Sequence, residues 1–165
     1  VLAKMAVTLD HISQGRVVLG LGSGWQENEH QQYGIEFGSV GERLEKLDEA
    51  CEVIKALFAN HVSTFSGKYY QLENATLEPK PVQKNLPLMI GGGGEKVTLR
   101  ITAAHADEWN VWGTVDTLRH KMQILDLKRD SARVLKLSVL ELPDENTADK
   151  STRDTQSNGN IATTR

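Results

Sequence analysis

Two glycine-rich strand ends carry the residues of this chain best suited to hold a ligand. Arg16-Val-Val-Leu-Gly-Leu-Gly-Ser-Gly-Trp25 and Pro87-Leu-Met-Ile-Gly-Gly-Gly-Gly94 are each a short apolar run that stops in glycines and leads into a helical pattern. Glycine lets a ligand approach the main chain closely, and the N–H groups at the start of a following helix favour an anion. Gly91, Gly92, Gly93 and Gly94 give the stronger signal. Glycine costs up to about 1 kcal/mol per residue in an ordered element, so four in succession point to a function more than to a bare turn. Followed by a helix over residues 95–105, their N–H groups can converge on an anion, phosphate being the obvious candidate. A floppy loop is the alternative. Glu95 is expected to point away from such an anion.

The first strand end fits no nucleotide-binding fingerprint. The dinucleotide pattern starting at Gly20 requires glycine at 25, where Trp25 stands, and an acidic residue at a second strand end about 20 residues on, where a helix is expected. A nucleoside-methyltransferase reading requires an acidic residue where Val18 stands. What remains is a strand end that holds a ligand, or a glycine turn forced by tight packing. The other reactive residue types are scattered. His11, His30, His61, His105 and His120 form no metal-ligand spacing, so no metal site is expected. Asp10 reads as a helix-end residue, and Glu27 and Glu29 as first-turn charges, rather than acid–base groups. Trp25 and Trp109, both at strand ends, either line a planar cofactor or roof the fold. Cys51 lies on the apolar stripe of a helix and reads as an inert core thiol. Asn74-Ala-Thr76 matches a glycosylation acceptor by chance. No catalytic residue is identified.

These residues need elements to position them. A continuous apolar run bounded by turn residues is the mark of a strand buried on both faces, as in parallel sheets. Four strands alternating with helices are predicted, at 17–22, 88–90, 108–112 and 137–142. Helices are predicted at 2–11, 43–59, 95–105 and 115–129, with a short one near 27–33. Apolar residues at 44, 47, 51, 54, 57 and 58 give the second of these the 3.6-residue period. Residues 64–70 read as a small hairpin around a Ser66-Gly67 turn. Alternating strands and helices imply βαβ units with right-handed crossovers. Both an open doubly wound sheet and a segment of a (β/α)8 barrel satisfy this, and both place ligands at the carboxyl ends of the strands. A complete barrel takes about 250 residues, so 165 supply about half of one.

Composition narrows the function classes. The 39% hydrophobic and 25% charged residues are ordinary for a globular protein. A net charge of −3 gives no reason to expect nucleic acid or an anionic membrane as partner. No run approaches the roughly 20 apolar residues of a membrane span, and the single cysteine fits a reducing cytoplasm. Residues 143–165 hold Ile161 as their one large aliphatic side chain and are expected to be a disordered tail, leaving 1–142 as the folded unit.

Leu2 to Arg16, Leu19-Gly-Leu-Gly-Ser-Gly-Trp25 with Glu29 and Tyr33-Gly34, Phe65-Ser-Gly-Lys-Tyr-Tyr70, Pro79-Lys-Pro-Val82, Pro87 to Gly94 and Ala106-Asp-Glu-Trp-Asn110 follow one another in an order that resembles the luciferase-like monooxygenase superfamily. The closest resemblance is to its coenzyme F420-dependent oxidoreductases, and it covers residues 2–142. The resemblance implies an α/β fold, a partial (β/α)8 TIM barrel holding family strands 4 to 7, with a small β-hairpin insertion. It implies hydride transfer between coenzyme F420 and an organic small-molecule substrate, or, as alternative, FMN-dependent monooxygenation. Family phosphate-binding glycines map onto Gly91, Gly92, Gly93 and Gly94, and family strand-end cofactor contacts onto Ser23 and Gly24, with Asn28 a weaker match. The family's first three strands and eighth strand are missing, so a fragment is expected, without the usual first-strand acid–base residue. Trp25 also stands where the sugar-phosphate dehydrogenases carry a catalytic glutamate. A second expectation is a non-catalytic half barrel that self-associates as a homo-oligomer through its unpaired strand edges.

Overall fold

A computed structural model describes residues 1–129 and 135–140. The tail expected at 143–165 and the end of the last predicted strand lie outside the described residues. The order is α1 (Leu2–Ser13), β1 (Leu19–Leu21), α2 (Glu27–Gln32), α3 (Val40–Ala59), β2 (Ser63–Ser66), β3 (Gln71–Ala75), β4 (Leu88–Gly91), α4 (Thr98–His105), β5 (Glu108–Trp112), α5 (Val115–Lys128) and β6 (Lys136–Leu140).

The main sheet has the order β1-β4-β5-β6, and every neighbouring pair is parallel. Among the described residues the strand order never reverses, so they contain no switch point of the doubly wound kind. Leu19, Leu21, Leu88, Ile90, Trp109 and Val111 project from β1, β4 and β5 into clusters with Ala3, Val7, Leu47, Cys51, Ile54, Leu99, Ile101 and Leu125 of the helices. Alternation then turns Gly20, Met89 and Glu108 to the other face, where the register sets Gly20 beside Met89 and Met89 beside Glu108. Helices on one face and a monotone strand order make this a sector of a (β/α)8 barrel, not closed into a ring. Burying side chains such as Leu88, Ile90 and Leu99, all at 0% exposure, stabilises the sector by about 2 kcal/mol each.

Several predicted boundaries move, the first strand shrinking from 17–22 to Leu19–Leu21 and the first helix extending to Ser13, and three of the shifts have a clear local reason. α3 begins at Val40, because Ser39 Oγ accepts from Glu42 N–H while the Glu42 carboxylate accepts from Ser39 N–H, a capping box. α4 begins at Thr98 instead of Glu95, because Leu99 N–H reaches back to Gly94 O and closes a turn before the helix. The hairpin pairs Ser63–Ser66 with Gln71–Ala75, so its turn is residues 67–70 and not Ser66-Gly67. The Glu49 carboxylate of α3 accepts from the N–H groups of Lys68, Tyr69 and Tyr70, which removes them from any strand ladder. These three amides hold the Glu49 carboxyl below its ordinary value, against burial working to raise it.

Candidate functional site

The strand register builds the site. Gly91 at the end of β4 lies opposite Asn110 of β5, and Leu21 at the end of β1 lies opposite Ile90. The segments that continue these strands therefore emerge side by side at one rim. They enclose a cleft of about 410 Å³ lined by residues 22–25, 91–93 and 110–112. Five sequence-predicted residues meet there: Ser23, Gly24, Gly91, Gly92 and Gly93. Two do not line it. Gly94 turns towards α4, where a Cβ would lie 2.8 Å from Thr98 Oγ1, and Asn28 is exposed on α2.

Asn110 and Trp112 also line the cleft, and sequence reasoning missed both. Their signal was the two-residue period of β5, which puts them on the face opposite Trp109 but names that face only once the register is known. The two tryptophans singled out earlier divide. Trp25 lines the cleft and is 72% exposed, whereas Trp109 is fully buried among Leu99, Ala103, Val111 and Leu125. The Trp109 indole N–H donates to Gly92 O at 2.8 Å, so this residue fixes the glycine loop from beneath.

Each loop is held by specific contacts. Gly92 has φ +120°, which an L side chain adopts only with strain, and its N–H donates to Asn110 O at 3.0 Å. Gly93 O accepts from Lys121 Nζ of α5. Glu95 reaches towards the same helix, with its carboxylate 3.3 Å from Lys121 Nζ and 3.5 Å from His120 Nε2. On the other rim, the His30 ring packs against Gly24 and edge-on against Phe37 with centroids 4.7 Å apart. The Arg43 guanidinium covers Phe37 at 3.7 Å and donates to the carbonyls of Phe37 and Gly38.

The chemistry this cleft offers is binding. Among the described residues, no side chain lining it carries a carboxylate, imidazole, ammonium or thiol group. Main-chain amides, the Ser23 hydroxyl, the Asn110 amide and two exposed indoles suit a ligand with an anionic group and a flat ring. Cys51 is remote from this role, since burial, aided by Asp48, pushes its thiol up to about 12. Asp48, Glu52 and His105 bring ligand-type atoms within 4.8 Å of one another. The Asp48 oxygens there pair with Arg100 at 3.0 Å and His105 Nε2 at 2.8 Å, which reads as a clasp between α3 and α4. No described helix is long and apolar enough to cross a membrane.

The sequence signature described as luciferase-like monooxygenase matches residues 1–136. An F420-dependent glucose-6-phosphate dehydrogenase of Microbacterium testaceum is 39% identical over 98 residues, which is 59% of this chain and 29% of the relative. Two solved structures share the fold. An F420-dependent secondary alcohol dehydrogenase in complex with an F420–acetone adduct superposes with a TM-score of 0.66 at 24% identity, over 84% of this chain and 43% of the other. The oxygenating constituent of 3,6-diketocamphane monooxygenase from Pseudomonas putida, in complex with FMN, gives 0.63 at 16% identity, over 84% and 42%. The chain spans 28–37% of the length of the curated relatives it matches.

Proposed function

The chain belongs to the luciferase-like monooxygenase family, and from that membership we propose that its cleft holds the phosphoryl end of a redox coenzyme, coenzyme F420 in the first place and FMN as alternative. The family has F420-dependent and flavin-dependent members. The whole protein's activity, hydride transfer to or from an organic small molecule, is part of this proposal, as is a cytoplasmic location.

The single observation that carries the reading is the composition of the rim. Gly91, Gly92 and Gly93 meet Ser23 and Gly24 across a cleft without a carboxylate to repel phosphate. The residues fit such a group: a Cβ at Gly92 would fall 3.3 Å from Thr98 and demand a strained backbone, so the bare main chain is what the site presents. When bound, the coenzyme supplies hydride chemistry at its ring. This chain's own residues bind and orient. Amides of the glycine loop and the Ser23 hydroxyl hold the anion, the Asn110 amide offers a hydrogen bond, and Trp25 and Trp112 wall the ring from water.

Titration of the chain with coenzyme F420 and with FMN, followed by absorbance and fluorescence, tests the reading. Tighter binding of F420 supports the first assignment, and tighter binding of FMN supports the alternative. Binding of neither sinks both. A second reading, a non-catalytic barrel remnant that self-associates, draws on the sheet order, in which β1 and β6 are the terminal strands. Light scattering over a range of concentrations tests it, and a concentration-independent monomer rules it out.

A further inference from the structure

The glycine loop contains two peptide planes whose carbonyls are both held from behind. Gly92 O accepts from the Trp109 indole N–H at 2.8 Å, and Gly93 O accepts from Lys121 Nζ. Each carbonyl shares a peptide plane with the next residue's N–H, so these planes carry the N–H groups of Gly93 and Gly94. In a trans peptide the C=O and N–H point in opposite directions. Fixing the carbonyls towards the buried indole and towards α5 therefore turns both N–H groups the other way. Among the described residues neither N–H has a protein acceptor, while the Gly92 N–H beside them is taken by Asn110 O.

We propose that Trp109 and Lys121 are positioning residues that clamp these two peptide planes, presenting the N–H of Gly93 in the cleft wall, and that of Gly94 next to it although Gly94 itself turns towards α4, as donors for the phosphate of the bound coenzyme. The inference rests on the phosphate reading above and adds the side chains that create the donor geometry. Trp109 suits this task because its ring is locked at 0% exposure among Leu99, Ala103, Val111 and Leu125. Lys121 suits it because its ammonium, 17% exposed and also 3.3 Å from Glu95, donates to a carbonyl and polarises that peptide, strengthening the N–H at its far end. Val111 packs on Gly93 from the strand side, where a Cβ would stand 3.3 Å from Cγ2, so the loop is held between β5 and α5. A side chain at 93 would also crowd Lys121 at 3.4 Å, which explains glycine here without any backbone strain.

FMN and riboflavin differ only in the phosphate, and titrating the wild-type chain and its Lys121→Met, Lys121→Arg and Trp109→Phe variants with both probes tests the inference. The wild type is expected to prefer FMN. Lys121→Met and Trp109→Phe should each lower FMN affinity about tenfold, the loss of one strong hydrogen bond, with riboflavin affinity unchanged. Lys121→Arg, which keeps the donor, should restore most of that loss. The neutral Trp109→Phe change separates positioning from simple charge removal. In parallel, FMN should shift the amide proton resonances of Gly93 and Gly94 downfield in the wild type, and less in either variant. A wild-type ratio of FMN to riboflavin affinity in both Lys121→Met and Trp109→Phe overturns the clamp and leaves the phosphate reading standing. An equal loss of both ligands overturns it too, since it marks a merely structural role. Where neither flavin binds, coenzyme F420 takes the place of FMN as probe for the same variants, with the same losses expected. No preference of the wild type for FMN over riboflavin, or no binding of FMN, riboflavin and coenzyme F420 alike, removes the phosphate reading and the clamp with it.

Discussion

The wholly buried carboxylate of Asp10 accepts from both amides of Gln83, the main-chain N–H at 3.1 Å and the side-chain Nε2 at 2.8 Å. The same Nε2 also donates to Val17 O at 2.8 Å. One glutamine thus ties the end of α1, the approach to β1 and the segment leading into β4, which are the two strands that place the glycine loops side by side.

Stability should report this tie through pH. Burial works to raise the Asp10 carboxyl, but hydrogen bonds from Gln83 and from the backbone of Val82 and Val17 outweigh it and hold the group below the ordinary aspartate range. A carboxyl lowered on folding contributes stability that is present above the unfolded value and lost as pH falls through the folded one. Asp10→Asn should lower unfolding free energy at pH 7 by about 2 kcal/mol and flatten its decline below about pH 4. Urea titrations at a series of pH values measure both. Parallel curves for the two proteins would show that Asp10 does not titrate as this geometry requires.

The hairpin predicts a different kind of failure. A Cβ on Gly67 would collide with the Glu49 carboxylate and stand 2.6 Å from the Phe65 ring. Gly67→Ala should therefore lift the 67–70 turn off α3, at a cost of about 1–3 kcal/mol, and expose the amides of Lys68, Tyr69 and Tyr70. Hydrogen exchange should accelerate at these three positions, with β4 and β5 unaffected. Unchanged protection of the three amides would mean that the turn does not depend on Glu49.

How far this was legible in the sequence depends on the range of the interaction. Residues 88–90 stood out as a strand because their apolar run stops in glycines, and residues 108–112 because they fall between two helical patterns. The choice between barrel and doubly wound sheet was not local, since it needs the strand order. The same holds in the site. Ser23, Gly24 and Gly91–Gly93 are visible as residue types, while Asn110 and Trp112 become site residues only through the pairing of Gly91 with Asn110. Asn28 looked suitable one helical turn beyond Gly24, but α2 directs it to solvent. Lys121, 28 positions after Gly93, carried no sequence signal at all.

Two substitutions at Gly92 separate strain from charge. Its φ of +120° penalises any L residue, so Gly92→Ala should weaken FMN or F420 binding through the backbone, by about 1–2 kcal/mol. Gly92→Asp bears the same strain and adds a carboxylate beside the anion site, so its loss should exceed that of alanine by about a further tenfold. Isothermal titration of both variants gives the difference. Equal losses would indicate that no anion sits near this loop.

The exposed tryptophans allow binding and stability to be separated in the opposite direction from Lys121. Trp25 and Trp112 are 72% and 55% exposed at the cleft rim, so truncating either removes little burial from the folded chain. Trp112→Ala and Trp25→Ala should therefore leave the unfolding midpoint nearly unchanged. If a flat ring rests against them, each truncation forfeits an aromatic contact worth about 1 kcal/mol, and FMN and riboflavin lose it equally because they share the ring. Lys121→Met, by contrast, acts on FMN alone. Paired titrations with the two flavins distinguish these patterns. A tryptophan truncation that spared both ligands would place the ring elsewhere, and one that weakened FMN only would assign that indole to the phosphate end.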